Sequence, residues 1–211
     1  MQNRRQFLTA AAALLALPAT SALSAPAAPY TRLSRPHIKQ NPDKIEVIEF
    51  FSYGCNHCND FHPIIKAWES RQASDVVLRR IPVAWNAAWA SLARLYYALE
   101  ASGDLKRLDN AVFDALHKQR KQLYTDKSVV DWYAQQGGNS QKFGEVLKSF
   151  AVSSKMTQAE QVRDSMQVES VPTLVVEGLY KVSGNNFEEL LKNTDLIIAQ
   201  VRGAQAQAPR K

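Results

Sequence analysis

The stretch that most constrains how this 211-residue chain can fold runs from Glu49 to Cys58. It passes from a hydrophobic segment through a Ser-Tyr-Gly turn into two cysteines that are separated by two residues. Cys55 and Cys58 are the only cysteines in the chain. A Cys-x-x-Cys pair at the junction of a strand and a helix is a signature of redox chemistry. The sequence therefore predicts a fold that holds one reactive cysteine pair.

Hydrophobic patterning places this pair inside a strand–helix–strand unit. Residues 45–51 are nearly all apolar and rich in β-branched and aromatic side chains, which is typical of a central strand covered on both faces. From Cys55 to about residue 71, apolar side chains recur at spacings of three and four, so we expect a helix that Pro63 kinks or locally rearranges. Residues 76–83 predict a second strand, and the three elements together form a βαβ unit.

The middle of the chain is predicted to be helical. Apolar stripes at helical spacing recur from about residue 86 to 168, with little strand character. One of the predicted helices contains both Phe143 and Phe150, and the next covers about residues 155–166. The large aromatic side chains of this region are expected to form its core, namely Trp89, Tyr96, Trp132 and Phe143.

Strand character returns towards the C-terminus. Two short apolar runs joined around Gly178 predict a hairpin over residues 171–182, and a final helix is expected over about residues 187–201. The patterns predict an α/β fold with an inserted helical subdomain. Its predicted organisation is a first β-containing part at residues 44–85, the helical insertion at 86–168, a second β-containing part at 169–201 and a frayed C-terminal tail at 202–211.

The first residues have the features of an export signal. Arg4 and Arg5 precede a short apolar run and then small residues, which is the order found in a signal peptide, assigned here to residues 1–25. The apolar run is too short for a stable membrane span. Because Arg-Arg-Gln-Phe-Leu also resembles a twin-arginine motif, either export route fits. Residues 26–43, with four prolines, predict an irregular N-terminal arm.

The charge balance does not favour a nucleic-acid-binding protein. The formal net charge is +6, and loss of Arg4 and Arg5 with the signal lowers Lys+Arg from 26 to 24 against 20 Asp+Glu, which leaves +4. These charges are scattered and form no basic stripe with interleaved aromatic residues. We therefore expect no nucleic-acid partner. In a Gram-negative bacterium the exported protein would work in the periplasm.

Two cysteines at this spacing can form a structural staple, a metal site or a redox pair. A disulfide across so short a loop constrains the unfolded chain little, by roughly 2 kcal/mol. Haem attachment requires a histidine directly after the second cysteine, where this chain has Asn59. An exported metal-binding protein that uses Cys55, Cys58 and either His57 or His62 stays open as the alternative, although a structural zinc site usually needs four ligands. The redox pair is the favoured interpretation.

The expected helix start favours Cys55 as the reactive sulfur. A thiolate there faces free backbone N–H groups and the positive end of the helix dipole. His57 can donate a hydrogen bond or place a positive charge beside the sulfur, and both effects lower the pKa of Cys55. A stabilised thiolate stabilises the reduced form, which makes the disulfide an oxidant. Cys58, one turn into the helix, is expected to be more buried and to act as the resolving thiol.

At this point the residues resemble the DsbA family of thioredoxin-fold thiol–disulfide oxidoreductases. The resemblance covers about residues 40–201 and rests on the Glu49–Cys58 motif, the long helical insertion, Val171-Pro172 before a strand, and the export signal. Histidine directly before the second cysteine is typical of this family. Asn56 departs from the commoner Pro-His pair, and because this dipeptide helps to set the redox potential, the resemblance leaves the potential open.

The resemblance implies a thioredoxin-like fold and further site residues. Val171 and Pro172, which by themselves are compatible with a simple strand entry, are implied to form a cis-proline loop. Such a loop would lie against the cysteines and bind a substrate chain in extended form. Glu49, which by itself reads as an edge residue, is implied to be a buried acid beneath the active site. Arg80 on the neighbouring strand is its candidate partner.

The implied activity is that of an exported oxidase. It would donate the Cys55–Cys58 disulfide to folding exported proteins with free thiols, through a mixed disulfide at Cys55. A membrane reoxidase similar to DsbB would restore the disulfide, and no further cofactor or metal is expected. A reductase or isomerase is the rival within the same class, but isomerases of this kind carry a separate dimerisation domain, for which residues 26–43 are too short. We expect a monomer.

Three other residues have simpler expected roles. Trp85, just after the second predicted strand, is a candidate for a hydrophobic surface that binds substrate. His37 and His117 are expected to be ordinary surface residues.

Overall fold

The computed structural model describes residues 28–34, 36–37 and 39–207. Within them the strands are β1 (Tyr30–Arg32), β2 (Ile45–Phe51), β3 (Val76–Pro82), β4 (Thr173–Val176) and β5 (Tyr180–Val182). They form one five-stranded sheet in the order β1-β5-β4-β2-β3. β2 and β3 are parallel, as a βαβ unit requires, and the other neighbours are antiparallel.

Seven α-helices accompany the sheet in this described part of the chain. They are α1 (Asn56–Glu69), α2 (Ala87–Ala101), α3 (Leu105–Phe113), α4 (Asp126–Gln135), α5 (Ser140–Leu147), α6 (Phe150–Ser165) and α7 (Phe187–Gln207). A π-helical turn, Asp114–Lys118, continues α3. Five of the helices, α2 to α6, lie between β3 and β4 in the chain. The predicted α/β fold with a helical insertion is confirmed, whereas its domain boundaries stay a prediction.

The sheet is covered on both faces, and a separate apolar core lies on each. All seven residues of β2 are buried, which is what a central strand between two layers requires. One core joins Phe51 and Tyr53 to the helical insertion. The other core lies under α1 and α7 and contains Phe61, Trp68 and Ile198. The redox motif therefore sits at the end of the most deeply buried strand, between the two cores.

The N-terminal arm differs from its prediction. Within the arm, β1 pairs antiparallel with β5, with Tyr30 opposite Val182. A strand of three residues is too short to leave an alternating pattern in the sequence. Its pairing covers the edge of β5, which would otherwise expose free backbone groups.

Two helix boundaries also differ. α7 continues past residue 201 to Gln207, so the tail that was predicted to fray is helical as far as that residue. Arg202, at the start of this extension, forms a surface ion pair with Asp75 at an N···O distance of 2.7 Å. Phe150 opens α6 instead of closing α5, because Ser149 caps a new helix there, and its side chain is 86% exposed. α1 continues through Pro63 as a single helix.

The predicted export signal, residues 1–25, lies outside the described residues. Among the helices that are described, none is long and apolar enough to cross a membrane.

Candidate active site

Cys55 is the N-cap of α1. Its backbone is extended, with φ −91° and ψ 123°, and its sulfur accepts a hydrogen bond from the backbone N–H of Cys58 at an N···S distance of 3.4 Å. The turn before it is tight: the Cys55 N–H donates to the Ser52 carbonyl at 3.1 Å, and the Gly54 N–H donates to Ser52 Oγ at 3.2 Å. A side chain at the N-cap faces the free amide groups of the first helical turn. The predicted helix start therefore agrees with the structure to within one residue.

The two sulfurs, both unpaired thiols in this structure, have opposite environments. Cys58 is fully buried, whereas Cys55 is half-buried. The hydrogen bond from the Cys58 thiol is the largest influence on the pKa of Cys55 and outweighs burial. With help from the backbone N–H groups of Cys58 and His57, it lowers this pKa to about 6. The same hydrogen bond, together with burial, raises the pKa of Cys58. Near neutral pH, Cys55 is thus a thiolate and Cys58 keeps its proton.

His57 lies between the cysteines on the exposed side of α1. Its positive charge, when present, also lowers the pKa of Cys55, but by less than the hydrogen bonds to that sulfur do. The backbone N–H of His57 contributes more than its charge. The backbone N–H groups of the helix start, which the sequence also predicted, and the Cys58 thiol therefore lower the pKa of Cys55 more than the charge of the imidazole does.

Val171 and Pro172 lie beside the reactive sulfur, as the resemblance implied. The peptide bond between them is cis, and Sγ of Cys55 is 3.7 Å from the carbonyl oxygen of Val171. An open groove extends from this loop past His57 to the start of α7, where Phe187 lines it. Cys55, which is half-buried, lies beside Val171, one of the residues that line this groove.

The other side of the redox turn is packed against aromatic side chains. A Cβ at Gly54 would lie 2.8 Å from Nε1 of Trp89, so only glycine allows the indole to approach this closely. Trp85 stacks on Trp89 with ring centroids 5.5 Å apart, and it is 41% exposed. An exposed aromatic surface therefore continues directly from the redox turn.

Glu49 is fully buried beneath the site and forms an ion pair with Arg80. The Nε of Arg80 donates to Oε2 of Glu49 at 2.6 Å, across the parallel register of β2 and β3. Burial raises the pKa of Glu49, and the nearby charge of Arg80 opposes this shift without cancelling it. Glu49 is also coupled to the redox pair, because in its ionised form its charge helps to raise the pKa of Cys58.

A second carboxylate, Asp109 of α3, completes this buried cluster and was not predicted. Arg80 donates to both of its oxygens, at 3.0 and 2.9 Å, and the Tyr53 hydroxyl donates to Oδ1 at 2.7 Å. The sequence does hold a signal for it. Asp109 comes four residues after Leu105 and three before Val112, and so falls on the apolar stripe of its helix. A charged residue on a buried helix face needs a partner.

His117 was also misjudged. It is half-buried in the π-helical turn, and its Nε2 donates to the backbone carbonyl of Tyr53 at 2.7 Å. It is therefore not an ordinary surface histidine but a contact between the insertion and the redox turn. His37 is likewise half-buried, with its backbone N–H bonded to the carbonyl of Gly178.

The metal-binding alternative finds no ligand set here. His62 is buried, and its Nε2 lies 2.7 Å from Oδ1 of Asn110 and 3.5 Å from Asp109. His57, by contrast, is exposed to solvent, so the two histidines lie in different environments. Across residues 28–34, 36–37 and 39–207, no group of three or more His, Cys, Asp or Glu side chains is placed to hold a metal ion.

Known proteins share this sequence pattern. The family model of the DSBA-like thioredoxin domain matches residues 46–194. The thiol:disulfide interchange protein DsbA of Bordetella pertussis is 38% identical over 205 residues, which cover 92% of this chain and 96% of that protein. The protein of the same name from Pseudomonas aeruginosa PAO1 is 37% identical over 178 residues, which cover 83% of this chain and 84% of that protein.

Solved structures share the fold as well. The crystal structure of Pseudomonas aeruginosa DsbA superposes with a TM-score of 0.81 at 36% identity and covers 85% of this chain and 95% of that one. The oxidoreductase DsbA from Xylella fastidiosa superposes with a TM-score of 0.79 at 30% identity and covers 82% and 95%. The similarity therefore includes the sheet, the redox turn and the helical insertion together.

Proposed function

Because the chain belongs to the family of DSBA-like thioredoxin domains and is a thiol–disulfide oxidoreductase, we propose that it works as an oxidase of other proteins. In this role it donates the Cys55–Cys58 disulfide and is itself reduced. The redox group is the cysteine pair alone, without a further cofactor. The rival role within the class, that of a reductase, would need the dithiol form to give up its electrons readily.

The observation that carries the direction of the reaction is the stabilised sulfur of Cys55. The backbone N–H of Cys58 in the first turn of the helix donates a hydrogen bond to it, and this contact together with the neighbouring Cys58 thiol holds its pKa at about 6. These contacts stabilise the thiolate, which exists in the reduced form and not in the disulfide. The reduced form is favoured accordingly, and the disulfide is easily reduced by substrate thiols.

The reaction proceeds by two exchanges at sulfur. A substrate thiolate attacks Sγ of Cys55, the Cys55–Cys58 bond breaks, and Cys58 leaves and takes up a proton. A second thiolate of the substrate then attacks the substrate sulfur of the mixed disulfide, and Cys55 leaves as a thiolate. The substrate has lost two electrons and the protein has gained them.

The other site residues have supporting roles in this proposal. His57 assists Cys55 through its backbone N–H and its charge, and Glu49 acts as the buried acid near Cys58. Val171 and Pro172 bind the substrate as an extended chain, next to the sulfur that it attacks. The short distance between Cys55 and the Val171 carbonyl supports this placement.

We place the reaction outside the cytoplasm, in the periplasm. The signal-like residues 1–25 support export from the cytoplasm. A redox-active disulfide also fits an oxidising compartment, where disulfides form and persist. The substrates are then exported proteins that fold with free thiols. A quinone-linked membrane protein similar to DsbB would accept the two electrons and restore the disulfide.

Equilibration with glutathione tests the proposal. The protein is incubated in buffers of increasing ratio of reduced to oxidised glutathione, and the fraction of disulfide form is read by alkylation of free thiols. An oxidase stays reduced even when oxidised glutathione is abundant. A protein that stays in its disulfide form in mostly reduced glutathione is not an oxidant, and this result would reject the proposal.

A pair of variants identifies the attacking sulfur. Cys58→Ser retains the nucleophile and lacks the resolving thiol, so it should accumulate mixed disulfides with substrate proteins. Cys55→Ser should accumulate none, because the buried Cys58 is inaccessible. The reverse pattern would assign the roles of the two cysteines the other way round.

A further inference from the structure

Asp109 connects the helical insertion to the redox site. It extends from α3 and is 6% exposed. It accepts hydrogen bonds from Arg80 on both oxygens and from the Tyr53 hydroxyl, and Nε2 of His62 lies 3.5 Å from it. Tyr53 is only two residues before Cys55. One side chain of the insertion therefore contacts β3, α1 and the redox turn at the same time.

The charges of this cluster do not balance. Arg80 supplies one positive charge and divides it between Glu49 on its Nε and Asp109 on its Nη1. With both carboxylates ionised, the buried group carries one net negative charge, which a low-dielectric interior strongly disfavours. One proton removes this excess charge.

The hydrogen bonds indicate which carboxylate holds that proton. Both oxygens of Asp109 accept hydrogen bonds from charged or hydroxyl donors, so ionisation is favoured there. Oε1 of Glu49 is buried and has no hydrogen-bond partner among the described residues. A proton on Glu49 therefore costs the cluster fewer hydrogen bonds than a proton on Asp109.

Other titratable groups around the two carboxylates leave this balance in place. Glu69 of α1 adds a further negative charge near Glu49, and burial raises its pKa too. Burial lowers the pKa of His62, so the imidazole beside Asp109 tends to be neutral. Among the described residues, the titratable groups that face the pair are Arg80 from β3, Tyr96 from α2, Tyr53 from the redox turn, and Cys58, His62 and Glu69 from α1.

We propose that Asp109 is a positioning residue for the redox pair, which keeps Glu49 protonated by competing with it for the charge of Arg80. The proton on Glu49 is then available to Cys58 when the disulfide is broken. This inference rests on the proposed oxidase function for its consequence, but not for the proton balance itself.

A titration of Glu49 tests the proton balance without any redox reaction. The side-chain carboxyl of Glu49 is followed by ¹³C NMR over pH in protein labelled at glutamate, with Glu49→Gln to assign the signal. In Asp109→Asn, Arg80 is left to Glu49 alone, so the midpoint should fall by about one pH unit or more. An unchanged midpoint would overturn the proposal. So would a midpoint in the unsubstituted protein below those of its exposed glutamates, a result that does not depend on whether the variant folds.

The rate at which a small thiol reduces the disulfide form tests the consequence. The ratio of the Asp109→Asn rate to the unsubstituted rate should be near one at low pH, where Glu49 is protonated in both proteins. It should pass through a minimum between the two Glu49 midpoints and recover above both. A ratio that is lowered equally at every pH would mean a structural role only and would reject the link to Cys58.

Two variants serve as controls. Tyr53→Phe removes only the hydroxyl donor to Asp109 and keeps both carboxylates and Arg80, so it should lower the midpoint of Glu49 less than Asp109→Asn does. Asp114→Asn removes an exposed carboxylate next to α3, which pairs only with Lys118 at the surface, and should leave the midpoint of Glu49 unchanged. If the glutathione equilibrium rejects the oxidase function while Glu49 still titrates as described, the proton balance stands and its catalytic consequence falls.

Discussion

The backbone N–H of Cys58 donates to the sulfur of Cys55, so the reactive sulfur caps the helix that carries its redox partner. We expect the ultraviolet absorbance of the Cys55 thiolate to appear with a midpoint near pH 6 in the reduced protein. Cys58→Ala should raise this midpoint markedly, because it removes the strongest hydrogen-bond donor to the thiolate. His57→Ala should raise it less. Equal effects of the two variants would contradict the larger influence of the Cys58 thiol, compared with the His57 charge, on the pKa of Cys55.

The stability of the reduced form should depend on pH through Cys55. Its pKa of about 6 in the folded protein lies below the value of about 8.5 for an unfolded thiol, so the unfolded chain binds more protons between these limits. The free energy of unfolding of the reduced form, relative to the disulfide form, should therefore rise from pH 6 to pH 8.5. Above this range the buried Cys58, whose pKa is raised, should reverse the trend. Parallel urea titrations of the two forms measure the difference, which should favour the reduced form most strongly near pH 8.5 and least at or below pH 6.

Removal of Arg80 should be severe. Arg80→Met leaves the buried Glu49 and Asp109 without a cation, and breaking a buried ion pair from one side typically costs about 3–5 kcal/mol. The loss should be smaller at acid pH, where the two carboxylates take up protons. Arg202→Met is the matched control, because its ion pair with Asp75 is at the surface and should matter far less. Equal losses in the two variants, measured by chemical denaturation, would contradict the buried cluster.

Two glycine substitutions should have opposite effects. Gly54→Ala brings a methyl group within 2.8 Å of Nε1 of Trp89 and should destabilise the fold by about 1–3 kcal/mol. Gly144→Ala lies inside α5, where the nearest atom would be 3.7 Å away, and should stabilise it by about 0.5–1 kcal/mol. Thermal unfolding of both variants provides the comparison. A Gly54→Ala protein as stable as the unsubstituted one would mean that the indole is free to move aside.

The fold could be predicted where the sequence has a strong local period. β2 and the β4–β5 hairpin follow from short, nearly continuous apolar runs, and α1 follows from the helical spacing of its apolar side chains. β1 could not be predicted, because three residues carry no period and the strand is stabilised by pairing with β5, far along the chain. The end of α7 was missed because residues 202–207 contain no large apolar side chain, so the apolar stripe of the helix ends at Val201.

The site divides in the same way. Cys55 and Cys58 are one helical turn apart, so the sequence alone indicates their environment. Asp109 lies 56 residues from Tyr53 and 29 from Arg80, and only the packing of α3 onto the sheet brings the three side chains together. A charge on an apolar stripe predicts that a partner exists, but not which residue it is.

The hydrogen bonds of Asp109 and His117 to Tyr53 also bear on protein engineering. A thioredoxin-sized enzyme, made by excising α2 to α6 and joining β3 to β4, would lose both of these residues. Phe51 and Tyr53 would face water, and the charge of Arg80 would belong to Glu49 alone. Such a miniature would keep the two cysteines, but Glu49 beneath them would lose its proton at a lower pH. Grafting the redox motif onto another scaffold would therefore transfer the sulfur chemistry without the proton supply that accompanies it here.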